Sequence, residues 1–168
     1  MGYSTDFTGS FSVSPPMKPE HREYIKLFSG TRRMKRASKK AETLPDPVRL
    51  AAGLGIGVSG SYFVGGEGYA GQDNDSSVEE HNSPPVAQPS LWCQWVPNEE
   101  GTRIEWDGGE KFYRYGEWIT YLIKHFLKPW GYKLNGEVVW QGEEDSDMGK
   151  IIINNNKIFT LQGVVVYE

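Results

Sequence analysis

All six tryptophans of this chain lie between Trp92 and Trp140, and the first 90 residues contain none. Tryptophan brings the largest apolar area that a side chain can bury, so this distribution puts the hydrophobic core in the second half of the chain. A length of 168 residues suits one domain with a real core. Apolar residues make up 38% and charged residues 24%, which selects a globular chain over a disordered one. The longest apolar runs, such as Val164-Val165-Val166, are far too short to span a bilayer. Met1-Gly2-Tyr3 leads into polar residues, unlike a signal peptide. Cys93 is the single cysteine, so no intrachain disulfide forms, and a reducing cytoplasm is the expected location.

The net charge of −4 conceals an asymmetry. Residues 1–50 carry 10 Lys/Arg against 5 Asp/Glu, residues 51–100 carry 7 acids and no base, and residues 101–168 carry 8 bases against 10 acids. Such a chain either attracts itself on folding or presents one basic face.

Periodicity supplies the elements. Residues 6–14 alternate, with Phe7, Gly9, Phe11 and Val13 on one side, and read as a strand ended by Pro15-Pro16. A helix follows, with Pro19 in its first turn and Tyr24, Ile25, Leu27 and Phe28 as its apolar stripe. Residues 31–50 hold most of the basic charge and read as a partly mobile connection. Residues 53–90 are a Gly/Pro-rich loop insertion, which Tyr62, Phe63, Val64 and Tyr69 anchor over 53–72. Residues 91–107 read as a hairpin turning at 97–101. Phe112, Tyr115, Ile119, Leu122 and Phe126 predict an amphipathic helix over 110–127. Residues 137–141 form a strand. Residues 151–153 and 158–161 flank the turn signal Asn154-Asn155-Asn156-Lys157, and residues 164–167 close the chain as another strand.

The expected fold class is α+β: a mostly antiparallel sheet with two helices on one face, in ferredoxin-like βαββαβ order plus a C-terminal hairpin. The expected organisation is a single domain over 1–168.

Several stretches share a resemblance: Thr31-Arg32-Arg33-Met34, Tyr62-Phe63-Val64-Gly65-Gly66, Trp92-Cys93-Gln94-Trp95, the run from Glu105 to Tyr113, and the run from Leu134 to Trp140. Together they resemble an uncharacterised family of small bacterial and phage proteins, a domain of unknown function, over nearly the whole chain. The resemblance implies one compact domain of bacterial or phage origin and carries no activity or site residue.

No motif names a reaction. Gly55, Gly57 and Gly60 match GxGxxG, but the strand before and the helix after that a dinucleotide site needs are missing from the pattern. Asp73, Asp75, Glu79, Glu80 and His81 offer oxygen ligands without the spacing of a calcium loop, and Glu143, Glu144, Asp145 and Asp147 read as a solvated loop. No pair of His21, His81 and His125 has metal spacing, and Cys93 reads as a small core residue. No cofactor or metal is expected.

Two features point to binding. Arg32, Arg33, Lys35 and Arg36 open a basic run continued by Lys39 and Lys40, suited to a protein or other anionic partner. The pI near 5.5 weighs against a dedicated nucleic-acid binder. Six Trp and nine Tyr exceed what one small core needs, so Trp92, Trp95, Trp106 and Tyr113 are candidates for a recognition surface. The preferred expectation is a non-enzymatic binding protein, in the phage case a factor acting on a host component. The alternative is a small hydrolase-like enzyme using Asp107 and Glu110, whose first expected role is to cap the second helix.

Overall fold

The computed structural model describes residues 2–65 and 75–167. In chain order its elements are β1 (Thr5–Ser14), α1 (Pro19–Ser29), β2 (Lys35–Arg36), α2 (Ser38–Ala41), α3 (Pro47–Ala51), β3 (Val78–Glu80), β4 (Trp95–Pro97), β5 (Arg103–Trp106), α4 (Tyr115–Leu122), β6 (Lys133–Gly142), β7 (Met148–Asn154) and β8 (Lys157–Gln162). A turn of π-helix, Ile123–Leu127, continues α4. The fold is α+β. The chain divides into two compact units, one made of Met1–Met17 with Gln94–Glu168 and the other of Lys18–Cys93. The second unit is a longer stretch than the 53–90 insertion marked by composition. No helix among the described residues is long and apolar enough to cross a membrane.

The first unit is built on a six-stranded antiparallel sheet in the order β4-β5-β1-β6-β7-β8. Its first four strands have the order that a βαββαβ arrangement requires, and β7 and β8 extend it as a hairpin. Alternation decides the faces. Phe7, Phe11 and Val13 of β1 are buried, as are Leu134, Val138 and Trp140 of β6 and Ile151 and Ile153 of β7. Residues between them point to the opposite face, because side chains alternate along a strand. Gly9 sits where a Cβ would lie 2.7 Å from the Glu137 carbonyl oxygen, and its φ of 104° is open to glycine alone.

The helix of this unit starts at Tyr115 rather than near 110. Lys111 and Arg114 adopt left-handed φ values of 57° and 56°, which break any helical run before Tyr115. Phe112 is buried ahead of the helix, while Trp118, Ile119, Leu122, Phe126 and Leu127 form the buried stripe. Asp107 and Glu110 therefore do not cap it. The rings interlock: Phe7 lies 4.9–5.7 Å from Trp95, Trp106, Phe112 and Tyr115, each at an edge-on angle.

The second unit has little regular structure, and beside its buried apolar residues Tyr24, Ile25, Phe28, Met34 and Val64 it holds a buried polar network. Arg33 and Arg36 are each only 2% exposed. Arg33 donates from Nη2 to the carbonyl oxygens of Ser61 (2.8 Å) and Phe63 (2.9 Å) and from Nε to Gln88, and its guanidinium lies 4.1 Å from the Phe28 ring. Arg36 pairs with Asp75 at 2.9 Å, donates to Ser77 Oγ, and stacks 4.3 Å from the Phe63 ring. Buried Asp46 pairs with Arg49 and accepts from the Val64 and Gly65 amides. Ala41, Ile56 and Phe63 form a small apolar cluster beside this network. Residues 31–50 are thus a structured segment carrying β2, α2 and α3, not a mobile connection. Phe63 and Val64 are buried as the anchored-loop reading expects; Tyr69 and the glycines from Gly66 to Gly71 lie outside the described residues.

Candidate binding surface

On the outer face of the sheet the strands change character from one edge to the other. β1 presents Thr8, Ser10 and Ser12, as its alternation requires. Across β6, β7 and β8 the rows are Val139-Lys150-Leu161 and Glu137-Ile152-Phe159, set by the pairing register. Val139, Phe159 and Leu161 are 40%, 52% and 54% exposed. Beside them Val139, Gln141, Met148, Lys150, Leu161 and Gln162 line a groove of about 340 Å³.

The groove floor depends on Gly149. A Cβ there would lie 2.3 Å from the Leu161 carbonyl oxygen and 2.3 Å from the Trp140 ring, so only glycine lets the strands and the indole close up. Trp140 is held from the other side, its Nε1 donating to Asp147 Oδ1 at 3.0 Å. Asp147 also accepts from the Tyr3 hydroxyl at 2.7 Å. The acidic residue Asp147 is therefore an anchor of the β6–β7 loop. Nearby, burial and then the charge of Asp147 push the Tyr115 phenol up to about 12.

β8 forms one edge of this sheet. An edge strand leaves a row of backbone donors and acceptors open to another chain. Beyond it residues 164–167 are not a strand, against expectation. Val164, Val166 and Tyr167 are 79%, 77% and 91% exposed, so they pair with nothing in the sheet.

The residues singled out by sequence have mixed placements. In the second unit, Arg33 and Arg36 are spent on the network above. Arg32 is partly buried, donating from Nε to the His81 carbonyl and from Nη2 to Asn82, and Lys35 lies in β2. Two of the six cations of the run are therefore internal scaffolding: Arg33 and Arg36 cannot reach a partner without unfolding, whereas Lys39 and Lys40 are exposed. Trp92 is partly buried in the same unit. In the sheet unit Trp95 is fully buried with Nε1 donating to the Tyr115 carbonyl, which makes it core. Trp106 is partly buried, its Nε1 donating to Gln94 and to the Gly109 carbonyl. Tyr113 is 47% exposed. Of the four aromatics, Tyr113 alone presents half its surface.

Asp107 accepts from the Gly109 amide at 2.7 Å and burial pushes its carboxyl up. Glu110 is exposed and its carbonyl accepts from Gln94. Both belong to a tight turn, and neither lines the groove. Gly55, Gly57 and Gly60 run into a 3-10 turn, Val58–Gly60, after α3, so a phosphate loop is not built. Asp75 is occupied: burial would raise its carboxyl, but hydrogen bonds from Ser77 and Arg36 outweigh this and hold it below its ordinary range. Asp73 lies outside the described residues. Among the described residues no group of three or more His, Cys, Asp or Glu is arranged to hold a metal ion. His125 stacks on Tyr121 at 4.0 Å, and Cys93 is a buried free thiol.

Sequence reasoning missed Val139, Phe159 and Leu161. Their signal was present: Ile158, Phe159 and Leu161 place apolar groups on both faces of one strand, which a half-buried strand should not do. No family model, curated protein or solved structure matches the chain.

Proposed function

We propose that this chain is a cytoplasmic, non-catalytic binding protein that docks a partner protein on the β6–β8 corner of its sheet. The observation that carries the reading is the exposure of Val139, Phe159 and Leu161 together on one face, next to a groove and an open strand edge. An extended partner segment would pair its backbone with β8, and its apolar side chains would cover Phe159 and Leu161. Backbone pairing supplies affinity and the groove supplies selectivity. Val164, Val166 and Tyr167, which follow β8 in the chain, are exposed and apolar as well. Asp107 and Glu110, tied into a turn away from the groove, give the hydrolase alternative no comparable support.

The test is selection of extended peptides against the folded protein, followed by amide chemical-shift mapping. Selected peptides should shift resonances of Phe159, Leu161 and Val139. The double variant Phe159→Glu, Leu161→Glu should weaken binding by about 2 kcal/mol or more, as hot-spot anchors do. Peptides that map elsewhere, or that bind the double variant equally well, would contradict the proposal.

A further inference from the structure

At the other end of the same strands lies a hollow of about 290 Å³ lined by Lys128, Gly131, Tyr132, Lys133, Asn155 and Lys157. Along β6, Lys133 and Val139 are six positions apart, about 20 Å at the rise of a strand, so this is a different site from the groove. We infer that this hollow binds the phosphate group of a small phosphorylated ligand.

Three lysines meet around it, and Asp and Glu are absent from its lining. The ion pairs among the described residues are Arg36–Asp75, Arg49–Asp46, Arg114–Glu117 and Lys150–Glu137, so none of the three lysines has an ion-pair partner among those residues. Three lysines lining one concavity put positive charge around it, and low-dielectric walls focus such a field. The turn places two of the lysine backbones. Asn155 and Asn156 take left-handed φ values of 46° and 70°, folding the β7–β8 hairpin back on β6. Asn156 donates from Nδ2 to the Tyr132 carbonyl and accepts at Oδ1 from the Leu134 amide. Those two residues flank Lys133, while Asn156 itself precedes Lys157. One asparagine thus holds two of the lysine backbones in register. Lys128 is set by the helix end, where the Gly131 amide bonds its carbonyl and the Tyr132 amide bonds that of Leu127. A basic residue at a helix C-terminus complements the dipole, which explains Lys128. It does not explain Lys133 and Lys157, which come from strands.

Lysine acts on phosphate as a point charge, and three of them match a dianion better than a monocarboxylate. The hollow is near the lower limit for small-molecule sites, enough for a phosphoryl group and a short body. A nucleic-acid strand needs a charged track matched to its phosphate spacing. Here Glu137 interrupts the outer face four residues beyond Lys133.

The experiment titrates ¹⁵N-labelled protein with inorganic pyrophosphate, with acetate and with a single-stranded oligonucleotide, at constant ionic strength. Pyrophosphate should give saturable shifts at Gly131, Lys133, Asn155 and Lys157. Lys133→Gln, Lys157→Gln should weaken it about tenfold or more, whereas Lys133→Arg, Lys157→Arg should retain it within a few-fold. Circular dichroism checks that both variants stay folded. Absence of saturable shifts, equal affinity for acetate, or an unaffected glutamine variant would overturn the inference. So would tighter binding of the oligonucleotide than of pyrophosphate, which would make the surface a polymer track.

Discussion

The two units solve the same problem with different chemistry. In the sheet unit Phe7 touches four rings edge-on, and Trp95, Trp118, Phe11, Phe112 and Phe126 fill the interior. In the unit of residues 18–93, two of the largest fully buried side chains are arginines, each clamped to polar groups and laid over a phenylalanine. The first gains stability by removing apolar area from water. The second also buries apolar side chains, Tyr24, Ile25, Phe28 and Met34 among them, but it has few regular hydrogen bonds to offer its loops, and the Arg33 guanidinium satisfies two of their carbonyls instead. A cluster of basic residues in a sequence thus overstates surface charge here, because two of its six cations, Arg33 and Arg36, are interior.

The largest expected effects come from cutting into each interior. Phe11→Ala and Phe126→Ala should each cost about 3–5 kcal/mol, measured by urea unfolding. An unchanged midpoint would contradict the packing of the sheet unit. Asp46→Ala should cost about 3 kcal/mol in the other unit, because it leaves the Arg49 charge buried without its partner. A cost below about 0.5 kcal/mol, the range of surface substitutions, would place that pair in solvent.

Titration probes one group in each unit. Asp75 has a folded pKa below its ordinary value of 3.8, so its contribution is present above that pH and is lost as pH falls through the folded value. Asp75→Asn should flatten the acid limb of a stability profile. Tyr115 is raised from 10.0 to about 12, so the folded state keeps a proton that the unfolded state has released. Its stabilisation is lost as pH rises from about 10 to about 12, and Tyr115→Phe should remove that alkaline loss. A profile unaltered by one of these substitutions would contradict the environment described for that group. The smallest stability effect belongs to the outer corner: Phe159→Lys with Leu161→Lys should change unfolding free energy by no more than about 0.5 kcal/mol per site. A large loss would make those side chains part of a core.

Legibility followed the range of the interactions. The strand of Phe7, Phe11 and Val13, the Asn turn before Lys157 and the helix stripe from Ile119 to Phe126 are local periodicities, and all stand in the fold. The helix start was misplaced because Phe112 extends the apolar spacing while the backbone at Lys111 and Arg114 turns the other way. Residues 31–50 gave no periodic signal because their order comes from partners far along the chain: Gln88 for Arg33, Asp75 and Ser77 for Arg36. The three lysines of the hollow are brought together by the strand hairpin and helix end, which no spacing in the sequence reveals.

The central claim, that Arg33 and Arg36 of the basic run are internal scaffolding, is tested most directly by ¹⁵N guanidinium NMR. Arg33 and Arg36 should show slowly exchanging side-chain protons and hindered rotation of their terminal nitrogens. Arg103, exposed, and Arg114, exposed and paired with Glu117 on the surface, should show the averaged signals of solvent-facing guanidinium groups. If Arg33 and Arg36 average and exchange as fast as Arg103 and Arg114, the buried clamps do not exist, and the run returns to the surface as a candidate for partner binding.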